Sequence, residues 1–239
     1  MFLYKQKIVV TGGSGRFGSE LKKIKNKYNL LYPSKSQLNV LNFNNIKRYL
    51  KKEKPKYLIH LAGLSRPMEM HNKYIDKSID LNIIGTSNIT KACWQLGIKL
   101  IYFSTCYLYP GTKGNYKETD PLLPNNKYAW SKLGGESAVQ MYNNSLILRV
   151  CMTEKPFVHK KAFYDFTTNF IFHDEVAKFL FKLINKRGII NLGGRTQTVY
   201  NFVKKYNPNI KKISAKRIFG QKYPLNPSMD INKLKKIIK

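Results

Sequence analysis

The chain has 239 residues, 43% of them hydrophobic, and a formal net charge of +30. This length supports one full core with a small appended lobe. No stretch approaches the ~20 apolar residues that cross a bilayer, and "MFLYKQKIVV" lacks the apolar region and cleavage site of a secretory leader. It reads as the start of a first strand.

Short apolar runs alternate with helix-patterned runs along the chain. Residues 7–10, "KIVV", form a buried strand, and 18–28 form a helix with Leu21 and Ile24 inward. A second strand covers 29–33 and stops at Pro33. Residues 44–54 place Ile46, Tyr49 and Leu50 at helical spacing. A third strand, 56–63, ends at Gly63. One long helix spans 74–97, with Gly97 as its stop. A fourth strand (99–105), a helix (126–143) and a fifth strand (145–150) follow. Such alternation predicts an α/β fold of the Rossmann type, a doubly wound parallel sheet with helices on both faces. Strands without polar alternation fit a sheet covered on both sides.

After Val150 the pattern weakens. Residues 151–169 are irregular and aromatic, 174–185 form an amphipathic helix, and 188–194 form a late strand. The expected division is a nucleotide-binding domain over 1–150 and a small substrate-binding lobe over 151–239. Residues 170–194 return to pack on the first domain, and the tail ends in a short helix.

The positive charge is nearly all lysine, with seven arginines, and lysine accompanies Asn and Ile throughout. That is the mark of coding bias on solvated faces. No zinc-finger or RNP-type motif accompanies it, so neither nucleic acid nor a membrane is an expected partner. Cys93, Cys106 and Cys151 are odd in number and lack metal spacing. They point to a reduced, cytoplasmic setting and to no metal.

The stretch "TGGSGRFG", 11–18, carries Gly12, Gly15 and Gly18 between a strand and a helix. It is either a tight turn or a phosphate-binding turn. Its place in the first β-α-β unit favours the phosphate. Gly12 allows the turn, Gly15 lets a pyrophosphate approach, and Gly18 permits close helix–strand packing, with the helix N-terminus supplying free N–H groups. The second strand ends in "YPSKSQ", without the acid that would hold an NAD ribose. Ser34, Lys35 and Arg16 suit a 2′-phosphate instead. The expected cofactor is NADP, with NADPH preferred and NAD the second choice.

Two further stretches bear on chemistry. "YFSTCYLYPG", 102–111, lies at the carboxyl end of the fourth strand, where open parallel sheets bind ligands. In "YAWSK", Tyr128 and Lys132 share a helical face. A lysine beside the phenol is expected to lower the phenol pKa and make Tyr128 an acid or base near neutrality.

Together with "HLAG" (60–63), "LNIIGTSNI" (81–89), "FIFHDEVA" (170–177) and "GIINLGG" (188–194), these motifs resemble extended short-chain dehydrogenase/reductases. The pattern is most similar to the dTDP-4-dehydrorhamnose reductase-like branch. The path "STCYLYPGTKGNYKETDPLLPNNKYAWSK" carries that likeness, which spans nearly the whole chain. The resemblance implies reduction of a nucleotide-linked 4-keto-6-deoxy sugar. Tyr128 would give the proton, Lys132 would hold the nicotinamide ribose, and Thr105 would bond the substrate oxygen. Asn82 would support the site. Ser14, Arg16 and Phe17 would join the three glycines at the diphosphate. Leu61, Ala62 and Gly63 would lie near the adenosine, and Ser104 would line the cofactor site. The likeness also implies a homodimer paired through helices flanking the sheet.

The chain departs from the branch in three places. Cys106 follows Thr105 where Asp is common, Asn39 replaces an adenine-side Asp, and the substrate lobe is short. Cys106 also resembles the catalytic cysteine of GDP-fucose synthase, an epimerase-reductase, although His159 and His173 sit in no matching motif. A buried structural thiol is the alternative. His60, ending a core strand, reads as structural. A non-catalytic nucleotide-binding regulator on the same fold tends to lack the Tyr and Lys that this chain keeps.

Overall fold

The computed structural model of the chain describes residues 5–239. The part of the expected first strand within residues 1–4 lies outside them. The elements in chain order begin with β1 (Lys7–Thr11), α1 (Arg16–Lys23), β2 (Asn29–Leu31), α2 (Phe43–Glu53) and β3 (Tyr57–His60). Next come α3 (Met70–Lys73) and α4 (Ile75–Ser78), which runs through a π-helical stretch, Ile79–Ile84, into α5 (Gly85–Leu96). Then follow β4 (Lys99–Thr105), a 3₁₀ turn (Cys106–Leu108), α6 (Lys127–Gln140), β5 (Ser145–Val150) and β6 (Met152–Thr153). The remainder is β7 (Lys161–Phe163), β8 (Thr167–Thr168), β9 (Ile171–Phe172), α7 (His173–Leu183) and β10 (Gly188–Leu192), then β11 (Gln197–Thr198), α8 (Val199–Lys204), β12 (Lys211–Ile213), α9 (Ala215–Phe219) and α10 (Asn232–Ile238).

The main sheet has the order β2-β1-β3-β4-β5-β10, and every neighbouring pair is parallel. Side chains of each strand alternate between two buried faces. On one face Ile8, Val10, Ile101 and Phe103 pack with Leu21 of α1 and Val176 and Leu180 of α7. On the other, Val9, Leu58, Leu100 and Ile147 pack with Ile46 of α2, Ile89 of α5 and Val139 of α6. This double cover explains the continuous apolar strands. The strand order reverses between β1 and β3, so the crevice for a ligand opens there, at the carboxyl ends.

The second and third strands are shorter than the sequence expectation, 29–31 and 57–60, and three further elements differ from it. Helix α1 ends at Lys23, not at 28, because Asn26 accepts from the Tyr28 amide and donates to the Ile24 carbonyl, turning the chain toward β2. The single helix expected over 74–97 contains the π stretch, which carries Asn82. The terminal helix α10, expected in the small lobe, packs on α7 and β10 of the main domain. The small lobe has its own core, built from Phe166, Phe172, Phe202 and Val203.

Candidate active site

The glycine turn folds as its spacing demands. Gly12 has φ +70° and lies against the Leu61–Ala62 backbone, where an added Cβ would come within 2.5 Å of the Ala62 nitrogen. Gly15 is the N-cap of α1 and offers no side-chain cap, which leaves the amides of the first helical turn without a capping partner. A Cβ at Gly15 would meet only the Gly12 carbonyl, so its outer side is open. Gly18 differs in detail from expectation: it packs closely on Gly13 of the turn itself, not on a strand. Ser14 and Arg16 are exposed at the turn. Phe17 is not an open lining residue, because its ring is buried against Phe103 at 4.8 Å and it can offer a ligand only its backbone N–H.

Leu61 and Ala62 lie directly against this turn, and Gly63 beyond them lies against the Asn82 side chain. The Leu61 amide bonds the Thr11 carbonyl at 3.2 Å and the Ala62 amide bonds Thr11 Oγ1 at 3.3 Å. His60 is structural, as expected. Its Nδ1 pairs with Thr11 Oγ1 at 2.8 Å and its Nε2 with Thr86 Oγ1 at 3.1 Å. Burial, then the nearby Lys132, pushes its pKa down to about 3, so the ring is neutral. Asn82 secures the loop beyond β3. It accepts from the Leu64 amide and donates to the Leu64 carbonyl and to Ser131 Oγ, joining the loop to α6. At the end of β2, Ser34 and Lys35 are exposed, and the Ser34 hydroxyl pairs with Ser36 at 2.8 Å.

Helix α6 begins at Asn126, whose side chain accepts from the Ala129 amide. Its first turns present Tyr128 and Lys132 at the carboxyl end of β4. Burial pushes the Tyr128 phenol up to about 12, while the Thr105 hydroxyl, then Arg66 and Arg16, pull the other way. This corrects the expectation of a phenol lowered by Lys132. The Lys132 ammonium lies over the Tyr102 ring, 4.1 Å from its centroid, and burial pushes it down to about 7 against the pull of Glu136. Tyr128 is therefore protonated near neutrality, the state a proton donor needs.

Ser104 is corrected as well. Its side chain turns toward α6 and donates to Glu136 Oε2 at 2.5 Å. Glu136 is fully buried and pairs with the buried Arg149 at 2.7 Å. Arg149 also donates to the Tyr109 hydroxyl at 2.8 Å and to the Glu118 carbonyl at 3.0 Å. Ser104 thus belongs to the scaffold that fixes β4, β5 and α6. Cys106 is buried beside Cys151, one residue beyond the paired Thr105 and Val150 of adjacent strands. The hydrogen bond to Cys151, then burial, raises the Cys106 thiol pKa well above its ordinary value. His159 meets the Phe157 ring edge-on and His173 meets the Phe17 ring edge-on.

Three residues at this site escaped the sequence reading. His71 lies 5.1 Å from the Tyr128 ring, centroid to centroid, with Nδ1 bonded to Ser78 Oγ at 2.7 Å. Arg66 and Glu154 meet at 3.0 Å. The only local signal for Arg66 was an arginine, rare in this lysine-rich chain, placed just after "HLAG". Among the described residues no group of three or more His, Cys, Asp or Glu could hold a metal, and no helix is long and apolar enough to cross a membrane.

Known proteins share this architecture. The chain is 30% identical over 155 residues to methionine adenosyltransferase 2 subunit beta of Pongo abelii, covering 61% of this chain and 46% of that one. It is 28% identical over 148 residues to the spore coat polysaccharide biosynthesis protein SpsK of Bacillus subtilis (strain 168), covering 60% and 52%. The matched segments thus span about half the length of these curated relatives. Among solved structures, dTDP-4-dehydrorhamnose reductase from Bacillus anthracis str. Ames in complex with NADP superposes with a TM-score of 0.85 at 22% identity, covering 97% of this chain and 92% of that one. The family model described as RmlD substrate binding domain matches residues 6–163. With that match across the glycine turn, β4 and α6, the chain belongs to the RmlD substrate binding domain family.

Proposed function

We propose that the chain is an NADPH-dependent reductase of a nucleotide-linked 4-keto-6-deoxy sugar. The observation that carries this reading is the placement of Tyr128 in the first turn of α6, beside Thr105 at the carboxyl end of β4 and within electrostatic reach of Arg16 on the glycine turn. A proton donor and a phosphate-binding turn thus share one crevice. The residues fit a dinucleotide: Gly15 is open on its outer side, α1 has no cap, and Gly12 lets the turn lie against Leu61 and Ala62. When bound, the cofactor supplies the hydride to C4. Tyr128 releases its O–H proton to the carbonyl oxygen, Thr105 holds that oxygen, and a charged Lys132 stabilises the phenolate left behind. The B. anthracis reductase was crystallised with NADP, which agrees with the absence of an acid at the end of β2.

Titration by fluorescence tests the cofactor. NADPH is expected to saturate the protein and to bind more tightly than NADH. Binding of neither would remove the enzyme reading. A pH profile tests the Lys132 role. Lys132 is charged below about 7 and loses its charge above it, so reductive kcat/KM should fall as pH rises through about 7. Tyr128, protonated up to about 12, does not contribute that limb. In Lys132→Arg the limb should move to higher pH, because a guanidinium keeps its charge; an unmoved limb would assign it to another group.

The epimerase reading through Cys106 is less well supported. Its thiol is hydrogen-bonded to Cys151, and the two downstream histidines, His159 and His173, pack against Phe157 and Phe17.

A further inference from the structure

Two arginines from distant parts of the chain converge on one carboxylate at the mouth of the crevice. Arg16 Nη1 lies 3.0 Å from Glu154 Oε1. Arg66 Nη1 lies 3.0 Å from the same oxygen and 3.2 Å from Oε2. Arg16 Nη2 also donates to Ser65 Oγ at 2.9 Å. Arg16 is the first residue of α1, Arg66 follows β3, and Glu154 follows β6. The three therefore span the point where the strand order reverses, in front of the uncapped first turn of α1.

We propose that Arg66 joins Arg16 as a clamp for the diphosphate of the bound dinucleotide, and that Glu154 is the clamp's resident counter-ion, displaced when the diphosphate enters. This rests on the dinucleotide reading above. The charges argue for exchange. Two guanidiniums and one carboxylate leave one positive charge unmatched, and a diphosphate carries two negative charges. Planar guanidiniums bond phosphate oxygens as they bond carboxylate oxygens. The arginine side chains are 45% and 40% exposed, so they are open to an incoming anion, whereas Glu154 is 16% exposed.

The test is equilibrium binding of NADPH and NADH to the wild type, Glu154→Gln, Arg66→Ala and the double variant, with melting temperature as a check on folding. Glu154→Gln removes the competing charge at nearly constant shape. It should tighten both dinucleotides by the same factor, about three- to tenfold for a partly exposed charge-assisted pair. Arg66→Ala should weaken both. In the Arg66→Ala background the gain from Glu154→Gln should shrink, since the two residues act on one another. Unchanged or weaker binding in Glu154→Gln overturns the proposal. A change confined to NADPH also overturns it, because it would place the pair at the 2′-phosphate. A wild type that binds neither dinucleotide defeats the cofactor reading itself, and the clamp with it. A wild type that binds while the variants match it defeats the clamp alone.

Discussion

Tyr128→Phe is expected to lower reductive turnover by about 10²–10⁴-fold, the range lost with a positioned general acid, while NADPH binding stays unchanged. The substitution removes one oxygen and keeps the ring that packs against His71. Thr105 Oγ1 still accepts from the Tyr107 amide at 3.3 Å, so no buried polar group is orphaned. Fold, helix α6 and the glycine turn should all survive. The effect then falls on the proton delivered to the substrate oxygen and not on assembly of the site. Steady-state kinetics beside a binding titration separates the two. Turnover within about tenfold of wild type would mean that another group gives the proton, and His71 would be the first to examine.

Glu136→Ala is expected to cost about 3–5 kcal/mol of stability, the range for breaking a buried ion pair from one side. Glu136 and Arg149 are 0% and 2% exposed. Removing the carboxylate leaves the guanidinium buried with only the Tyr109 hydroxyl and the Glu118 carbonyl as partners. It also strips the acceptor from Ser104. Urea unfolding reads the loss as a lower midpoint. Replacing both partners, Glu136→Leu with Arg149→Met, should recover much of it, because no charge is then left unpaired. A single Glu136→Ala loss below about 1 kcal/mol, the scale of an exposed pair, would show that water reaches Arg149.

What the sequence revealed divides along a physical line. The strands at 99–105 and 145–150 match β4 and β5 because each is built on an uninterrupted apolar run, 100–103 and 146–148, covered on both faces of the sheet. The glycine turn was legible because its conformation depends on residues within one short loop. Ser104 was misread because the two hydroxyls of "ST" point to opposite faces of β4, and only packing tells which face meets α6. The Tyr128 pKa was misread because adjacency on a helix says nothing of burial, and burial is the largest influence on it. Arg66 and Glu154 lie 88 residues apart in sequence, so no local pattern could pair them. The π stretch leaves no mark in apolar spacing, since it adds one residue to a turn that still buries the same face.

The most direct test of the central claim follows NADPH consumption when a nucleotide-linked 4-keto-6-deoxy sugar is added to the wild-type protein. The account predicts loss of NADPH in equal amount to a reduced 4-hydroxy sugar nucleotide. An inert mixture, under conditions where NADPH is shown to bind, would contradict it and leave a dinucleotide-binding protein without reductase chemistry.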